Sequence, residues 1–257
     1  MEQLHQPITS VTLRIAPDVA ETEAAARLRE QFHSDAPEDG LTLRLDGDGL
    51  TLCSEGQELR GDFSHLLPRL KGLSGEFLVR AAKIKNADHP LTAIDATAGL
   101  GEDSFFLAAA GFHVTLYERN PVIYALLCDA LERASRDPGL ADIAARMTAV
   151  RGDSAQAMAA VGSAPDVVLL DPMFPARQKS ALVKKKLQMI QKLEFPCPDE
   201  VALIRAAMEA KPKKLIIKRP PKGPWLAGIK PDHSMEGKAV RFDCIVSPYD
   251  RIHKFFD

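Results

Sequence analysis

A chain of 257 residues, 46% of them apolar and 26% charged, can bury a full core in one large domain or a domain and a half. Its formal net charge of −2 excludes a bulk polycation, so nucleic acid, if bound, must meet a local basic patch. The four cysteines, Cys53, Cys128, Cys197 and Cys244, form no Cys-x-x-Cys pair, which argues against a zinc site, a disulfide scaffold or a redox motif and for reduced thiols in a cytoplasmic protein.

Met1 to His5 lacks the basic and apolar regions of a signal peptide, and no apolar run in the chain is long enough to cross a bilayer. Val11 to Ile15 alternates like a short strand, and Val19 to Phe32 has helical spacing, with Val19, Ala24, Leu28 and Phe32 available for one face. Leu41 to Leu45 and Leu50 to Cys53 alternate around Asp46-Gly-Asp-Gly49, which predicts a hairpin. These elements predict a small α+β unit over residues 1–72, with a second domain over 73–257 entered through a helix from about Gly75 to Lys83.

From Leu91 the rhythm becomes strand, helix, strand, helix. Strands are expected at Leu91 to Asp95, His113 to Glu118, Met147 to Gly152, Asp166 to Leu170, Lys214 to Lys218 and Arg241 to Val246. Helices are expected at Glu102 to Ala110, Pro121 to Ser135, Ala155 to Val161 and Asp199 to Ala210. Such alternation predicts an α/β fold with an open, doubly wound, mostly parallel sheet, whose ligands bind at the carboxyl ends of the strands.

The motifs fall at those ends. Asp95 closes the first strand and Gly99-Leu-Gly101 follows, where glycines allow a tight turn and close approach of backbone to ligand. A dinucleotide fingerprint would want Gly or Ala where Ser104 stands, and Glu102 and Asp103 would repel a pyrophosphate; they suit the cationic amino-acid end of S-adenosylmethionine. Glu118, ending the second strand, can accept ribose hydroxyls, and Arg119 can flank the adenine. Asp153 and Ser154 follow the third strand and can meet the adenine amino group, although Gly-Asp-Ser alone also reads as an Asx turn.

The apolar run Val167 to Leu170 ends in Asp171-Pro172-Met173-Phe174-Pro175. An exocyclic base amino group is a poor nucleophile because its lone pair is delocalised into the ring. A carboxylate and a rigid carbonyl accepting its two N–H groups favour the nucleophilic form, and an aromatic ring can stack on the base. Asp171, Pro172 and Phe174 are therefore the expected catalytic corner, with in-line alignment supplying the rest of the acceleration and no metal required. Two basic clusters follow. One holds Arg177, Lys179, Lys184, Lys185, Lys186 and Lys192; the other holds Lys211, Lys213, Lys214, Lys218, Arg219 and Lys222. Both are expected to adjoin the carboxyl edge as a phosphate-binding rim, with Lys184, Lys185, Lys186, Lys218 and Arg219 as substrate contacts; a solvated helix face is the alternative. Trp225 either stacks a base or anchors its loop.

Asp95-Ala-Thr-Ala-Gly-Leu-Gly-Glu-Asp103, Tyr117-Glu-Arg-Asn-Pro121, Arg151-Gly-Asp-Ser154 and Asp171-Pro-Met-Phe-Pro175 resemble the bacterial small-subunit rRNA guanine-N2 methyltransferases of the RsmJ family. The resemblance covers nearly the whole chain, including Lys218-Arg-Pro-Pro221. It implies a class I, Rossmann-like methyltransferase fold, S-adenosylmethionine as donor and guanine N2 of 16S rRNA, free or in the small ribosomal subunit, as acceptor. It also implies that Glu102, Asp103, Glu118, Arg119, Asp153, Ser154 and Asp171 contact or flank the cofactor. Met173 stands where the Asp/Asn-Pro-Pro-aromatic corner of amino-methyltransferases at large has its second proline, and the aromatic residue is retained as Phe174. The competing readings are an adenine-N6 or DNA amino-methyltransferase, a nucleotide-binding oxidoreductase, which Ser104 and the Asp171 corner oppose, and a non-catalytic RNA-binding module.

Overall fold

The computed structural model describes residues 11–32, 40–54, 56–172, 189, 193 and 199–256. Its smaller sheet has four strands in the order β1 (Thr12–Ile15), β2 (Thr42–Asp46), β3 (Gly49–Ser54) and β4 (Gln57–Leu59). β2 and β3 form the expected hairpin, Asp46 pairing with Gly49. β1 pairs with β2 in parallel, because helix α1 (Glu23–Gln31) crosses between them. That helix starts later than the apolar spacing predicts. Pro17–Val19 forms a 3₁₀ turn, and the Thr22 hydroxyl caps α1 by accepting from the Ala25 N–H at 3.2 Å.

Helix α2 (Phe77–Ala82) leads to the larger sheet, whose order is β10-β11-β9-β8-β5-β6-β7. Its strands are β5 (Thr92–Asp95), β6 (His113–Glu118), β7 (Met147–Arg151), β8 (Val167–Leu170), β9 (Lys214–Arg219), β10 (His233–Glu236) and β11 (Arg241–Val246). The run from β7 to β9 is parallel, and β11 and β10 are antiparallel additions. Among the described residues the frame is completed by α3 (Glu102–Ala109), α4 (Pro121–Arg136), α5 (Ala141–Ala144), α6 (Ser154–Ala159) and α7 (Glu200–Glu209), with a terminal turn α8 (His253–Phe256). Strand order reverses between β5 and β8, which makes their carboxyl ends the switch point at which ligands bind.

Alternation along the strands divides the core in two. Ala93, Val114, Leu116, Val167, Leu169 and Ile216 join one apolar cluster, whereas Ile94, Val168, Leu170, Leu215 and Ile217 join another. The sheet is thus covered on both faces, as an unbroken apolar strand such as Val167–Leu170 requires.

Helix α4 has two apolar sides. Leu127, Ala130 and Ala134 pack with the large-sheet cluster, while Val122, Ile123, Ala125 and Leu126 join Leu43, Leu45, Leu50, Leu52 and Leu59 of the small sheet. Leu126 is fully buried. Leu126→Ala is expected to cost about 2–5 kcal/mol through lost burial and a cavity. Urea denaturation should show that loss as a lower midpoint with the slope unchanged; a loss below about 1 kcal/mol would mean that the sheet does not depend on this face of α4.

Candidate active site

The register of the large sheet assembles the site. Asp95 ends β5 opposite Leu169 of β8, and Leu170 pairs with Ile217 of β9. Asp171 and Lys218 therefore leave adjacent strands side by side, and the Lys218 ammonium lies 3.0 Å from Asp171 Oδ2. The same ammonium pairs with Asp103 Oδ2 in the first turn of α3.

Thr97 ties the two central strand ends together. Its main-chain N–H donates to Asp95 Oδ1 at 3.1 Å, an Asx-type turn, and its hydroxyl accepts from the Asp171 N–H at 2.6 Å. The Ser104 hydroxyl donates to Asp95 Oδ2 at 2.6 Å. The intervening loop turns through left-handed Gly99 and Gly101, at φ +54° and +79°. A Cβ on Gly101 would sit 2.8 Å from Leu127 Cδ1, so glycine is also required there by packing. A Cβ on Gly99 would meet no protein atom within 4 Å, so this backbone faces away from the core.

Glu118 is buried at 4% exposure and holds the loop from the other side. Its Oε2 accepts from the Gly99 N–H at 3.0 Å and its Oε1 from the Asn120 N–H at 2.7 Å. Each oxygen keeps lone-pair capacity for a further donor. Asn120 caps α4 by accepting from the Val122 and Ile123 N–H groups, and its amide donates to the Leu193 carbonyl at 2.6 Å.

The charges are strongly coupled to their surroundings. Burial pushes the Asp95 carboxyl up to about 7; the Ser104 hydroxyl opposes this and the charge on Asp103 adds to it. Burial raises Glu118 as well, against the pull of the Asn120 and Gly99 N–H groups. Desolvation raises Asp171, and the Lys218 ammonium opposes the shift. Burial works against the charge of Lys218, but Asp103 and Asp171 hold it protonated well above the usual lysine range.

Among the other expected site residues, Arg119 is exposed at the end of β6. The Oδ1 of Asp153 caps α6, accepting from the Ala155 and Gln156 N–H groups at 2.8 and 3.2 Å, and Ser154 opens that helix. Glu102 lies beside His65, with Nε2 3.7 Å from Oε1. Pro172 is buried next to Asp171. Phe174, Met173, Pro175, Arg177, Lys179, Lys184, Lys185, Lys186 and Lys192 lie outside the described residues.

The second basic cluster does not form the expected rim. Lys218 is turned inward between two carboxylates, and Arg219 is only 2% exposed, its Nε donating to the Pro224 carbonyl at 2.8 Å. A guanidinium so enclosed cannot reach a phosphate backbone. Lys213 and Lys214 sit at the amino end of β9, away from the carboxyl edge. There Lys213 pairs with Asp166 at 2.8 Å and Lys214 donates to the carbonyls of Ala81 and Lys83. Only Lys222 of the cluster is left exposed beyond the carboxyl end of β9. Thr97, Ser104 and the inward role of Lys218 escape the sequence reading, although Asp95-x-Thr97 carries an Asx-turn signal.

The Asp95 shift sets a pH dependence. Its carboxyl ionises near 3.8 ordinarily and near 7 in the fold, so the folded protein holds the extra proton between those values. This contribution to stability is largest below the lower value and is lost as pH rises through the upper one. Asp95→Asn, which carries no charge, should therefore gain on the wild type between pH 5 and pH 8 by on the order of 2 kcal/mol. Paired urea denaturation curves at the two pH values measure this. A difference that does not change with pH would show that Asp95 is ionised throughout.

Over residues 31–247 the chain matches the family described as "Putative SAM-dependent methyltransferase". It is 40% identical over 253 residues to the ribosomal RNA small subunit methyltransferase J of Thioalkalivibrio sulfidiphilus, covering 93% of this chain and 98% of that protein. It is 49% identical over 173 residues to the protein of the same name from Pseudomonas aeruginosa, 67% of this chain and 66% of that one. A solved SAM-dependent methyltransferase from Neisseria gonorrhoeae shares the fold with a TM-score of 0.74 and 32% identity, over 92% of this chain and 96% of that one. The sheet, with its central parallel run and antiparallel β11, is that of a class I methyltransferase. The chain belongs to the ribosomal RNA small subunit methyltransferase J family of S-adenosylmethionine-dependent methyltransferases.

Proposed function

We propose that the protein transfers a methyl group from S-adenosylmethionine to the exocyclic N2 of a guanine in 16S rRNA. The observation that carries this reading is the placement of Asp171 and Pro172 at the β5/β8 switch point, with Lys218 and Asp103 against the carboxylate. The relatives' name supplies the ribosomal acceptor, and the resemblance of the motifs supplies the guanine amino group.

The residues present fit the cofactor. Gly99 turns an open backbone face outward, and Glu118 keeps acceptor capacity for ribose hydroxyls. Asp103 and Asp171 share the single ammonium of Lys218, which leaves this edge the net negative charge that suits a cationic amino-acid end. Ser154 and the second oxygen of Asp153 serve the adenine amino group, with Arg119 and Glu102 flanking the pocket. S-adenosylmethionine, when bound, supplies an electrophilic methyl group on a positively charged sulfur.

Asp171 and a neighbouring carbonyl accept the two N–H groups of the guanine amine, which keeps the nitrogen lone pair out of conjugation and directed at the methyl group. Pro172 fixes φ at this corner, and the Thr97 hydroxyl fixes the Asp171 N–H, so the carboxylate does not have to be ordered when substrate arrives. Phe174 stacks on the base. A paired guanine commits one N2 hydrogen to its partner base and cannot offer both to Asp171 and the carbonyl, so the target is unpaired or extruded, with Lys184, Lys185 and Lys186 meeting the flanking phosphates. The enzyme then works in the cytoplasm, where the small subunit is made. No described helix is long and apolar enough to cross a membrane, and no described cluster of His, Cys, Asp or Glu could hold a metal ion.

Glu118→Ala should weaken S-adenosylmethionine binding by about 1.5–3 kcal/mol, since a charged acceptor is lost. Calorimetric titration measures it, and equal affinities would remove Glu118 from the pocket. Asp171→Ala should slow single-turnover transfer to 16S rRNA at saturating cofactor by about 100-fold or more while the protein stays folded. A rate within about threefold of wild type, under one kcal/mol of barrier, would sink the role given to Asp171.

A further inference from the structure

Trp225 is the chain's single tryptophan, and it is 42% exposed. It closes the loop that leaves the carboxyl end of β9, directly after Lys218 has met Asp103 and Asp171. The loop is held by other residues. Arg219 and Arg241 face each other across β9 and β11 and are exposed by only 2% and 6%. Arg219 Nε donates to the Pro224 carbonyl at 2.8 Å; Arg241 donates to the carbonyls of Pro221 at 2.8 Å and Gly223 at 3.2 Å. Asp243 fixes Arg241 in turn, through two bonds of 2.8 and 2.9 Å. Two buried guanidiniums thus clamp three carbonyls on the tryptophan's amino-terminal side.

The carboxyl-terminal side is anchored as firmly. Leu226 and Ile229 are buried at 1% and 5% exposure in the cluster beneath. Between them Ala227 adopts a left-handed conformation at φ +48°, which a non-glycine residue adopts only at a cost, and its N–H donates to Glu200 at 3.4 Å. Trp225 is therefore not the anchor of its loop. The loop is braced on both sides of an indole that is left facing solvent. Residues 220–225, which form the loop itself, carry one exposed lysine, Lys222, and no acidic residue.

An exposed aromatic ring on a rigid support, with a cation beside it, is what binding of single-stranded nucleic acid uses. Bases stack on the ring whatever their identity, and the cation meets a phosphate. We infer that Trp225 is a stacking platform for an unpaired nucleobase adjoining the methylated one, with Lys222 on a neighbouring phosphate. The inference rests on the proposed function for the identity of the polymer. It gives the Pro-Pro-Lys-Gly-Pro-Trp loop a purpose beyond closing the sheet edge: the two buried arginines hold the ring in place before RNA arrives, so less order is lost on binding.

Since Trp225 is the only indole, its fluorescence reports on the contact directly. Titration with a short unstructured oligoribonucleotide should quench the emission. Trp225→Ala should bind that RNA about 5- to 150-fold more weakly, the range of one base–aromatic stack. The same variant should raise KM for 16S rRNA while leaving kcat and S-adenosylmethionine affinity unchanged, and Trp225→Phe should retain most of the binding. Unquenched emission with an unchanged RNA affinity in Trp225→Ala overturns the inference and leaves the proposed function intact, provided the wild type methylates 16S rRNA or small subunits in parallel. A defect in Trp225→Ala confined to assembled subunits, with naked RNA bound normally, also overturns it, in favour of a ribosomal-protein contact. Failure of the wild type to methylate either substrate removes the proposed function instead, and the quench then decides the stacking role alone.

Discussion

Four acidic side chains, Asp95, Asp103, Glu118 and Asp171, converge on one edge of one sheet, and like charges in a partly dehydrated cleft repel. The structure meets that constraint in three different ways. Asp95 receives a hydroxyl and an N–H, and burial pushes its carboxyl toward the neutral form. Glu118 is held by two main-chain N–H groups. Asp103 and Asp171 share one ammonium, Lys218, which joins the start of α3 to the end of β8. Each solution also fixes a piece of backbone. The acidic lining that suits a cationic cofactor and the rigidity of the loops around it therefore have the same source.

The same economy governs the basic residues. A chain whose net charge is −2 contains 33 lysines and arginines, and their positions decide what they do. Those at the amino end of β9 tie down helix ends and strand ends, as Lys213 and Lys214 show. Lys218 works inside the site. Arg219 and Arg241 are buried clamps beneath the Pro220–Trp225 loop. Proximity in sequence does not separate these roles, because a parallel strand carries its two ends to opposite edges of the sheet. Lys213 and Lys218 are both in or beside one short strand and serve different ends of the molecule.

This explains what the sequence made legible. Strands β5 to β9 and β11 and helices α3, α4 and α7 announce themselves by apolar period, by Pro121 at a helix start and by glycines at strand ends, which are local signals. β10 does not, because His233-Ser-Met-Glu236 is polar and largely exposed and pairs only along one edge. The parallel pairing of β1 with β2 and the two-sided packing of α4 are long-range facts that no window of sequence contains. At the carboxyl edge, the strand-end positions of Asp95, Glu118 and Asp171 were readable because type and position coincide, while Asp153 caps a helix, as its Gly-Asp-Ser setting also allowed. The partners that settle their geometry were not: Thr97, Ser104 and Lys218 act through hydroxyls and an ammonium whose importance depends on which strand lies next door.

The activity proposed for this corner is methylation of the N2 of a guanine in 16S rRNA. The most direct measurement is mass mapping of modified nucleosides in 16S rRNA from cells that lack the protein, with and without a plasmid copy. One N2-methylguanosine should disappear with the protein and return with the plasmid. An unchanged set of modified nucleosides, or a returning methyl group that maps to an adenine, would contradict it.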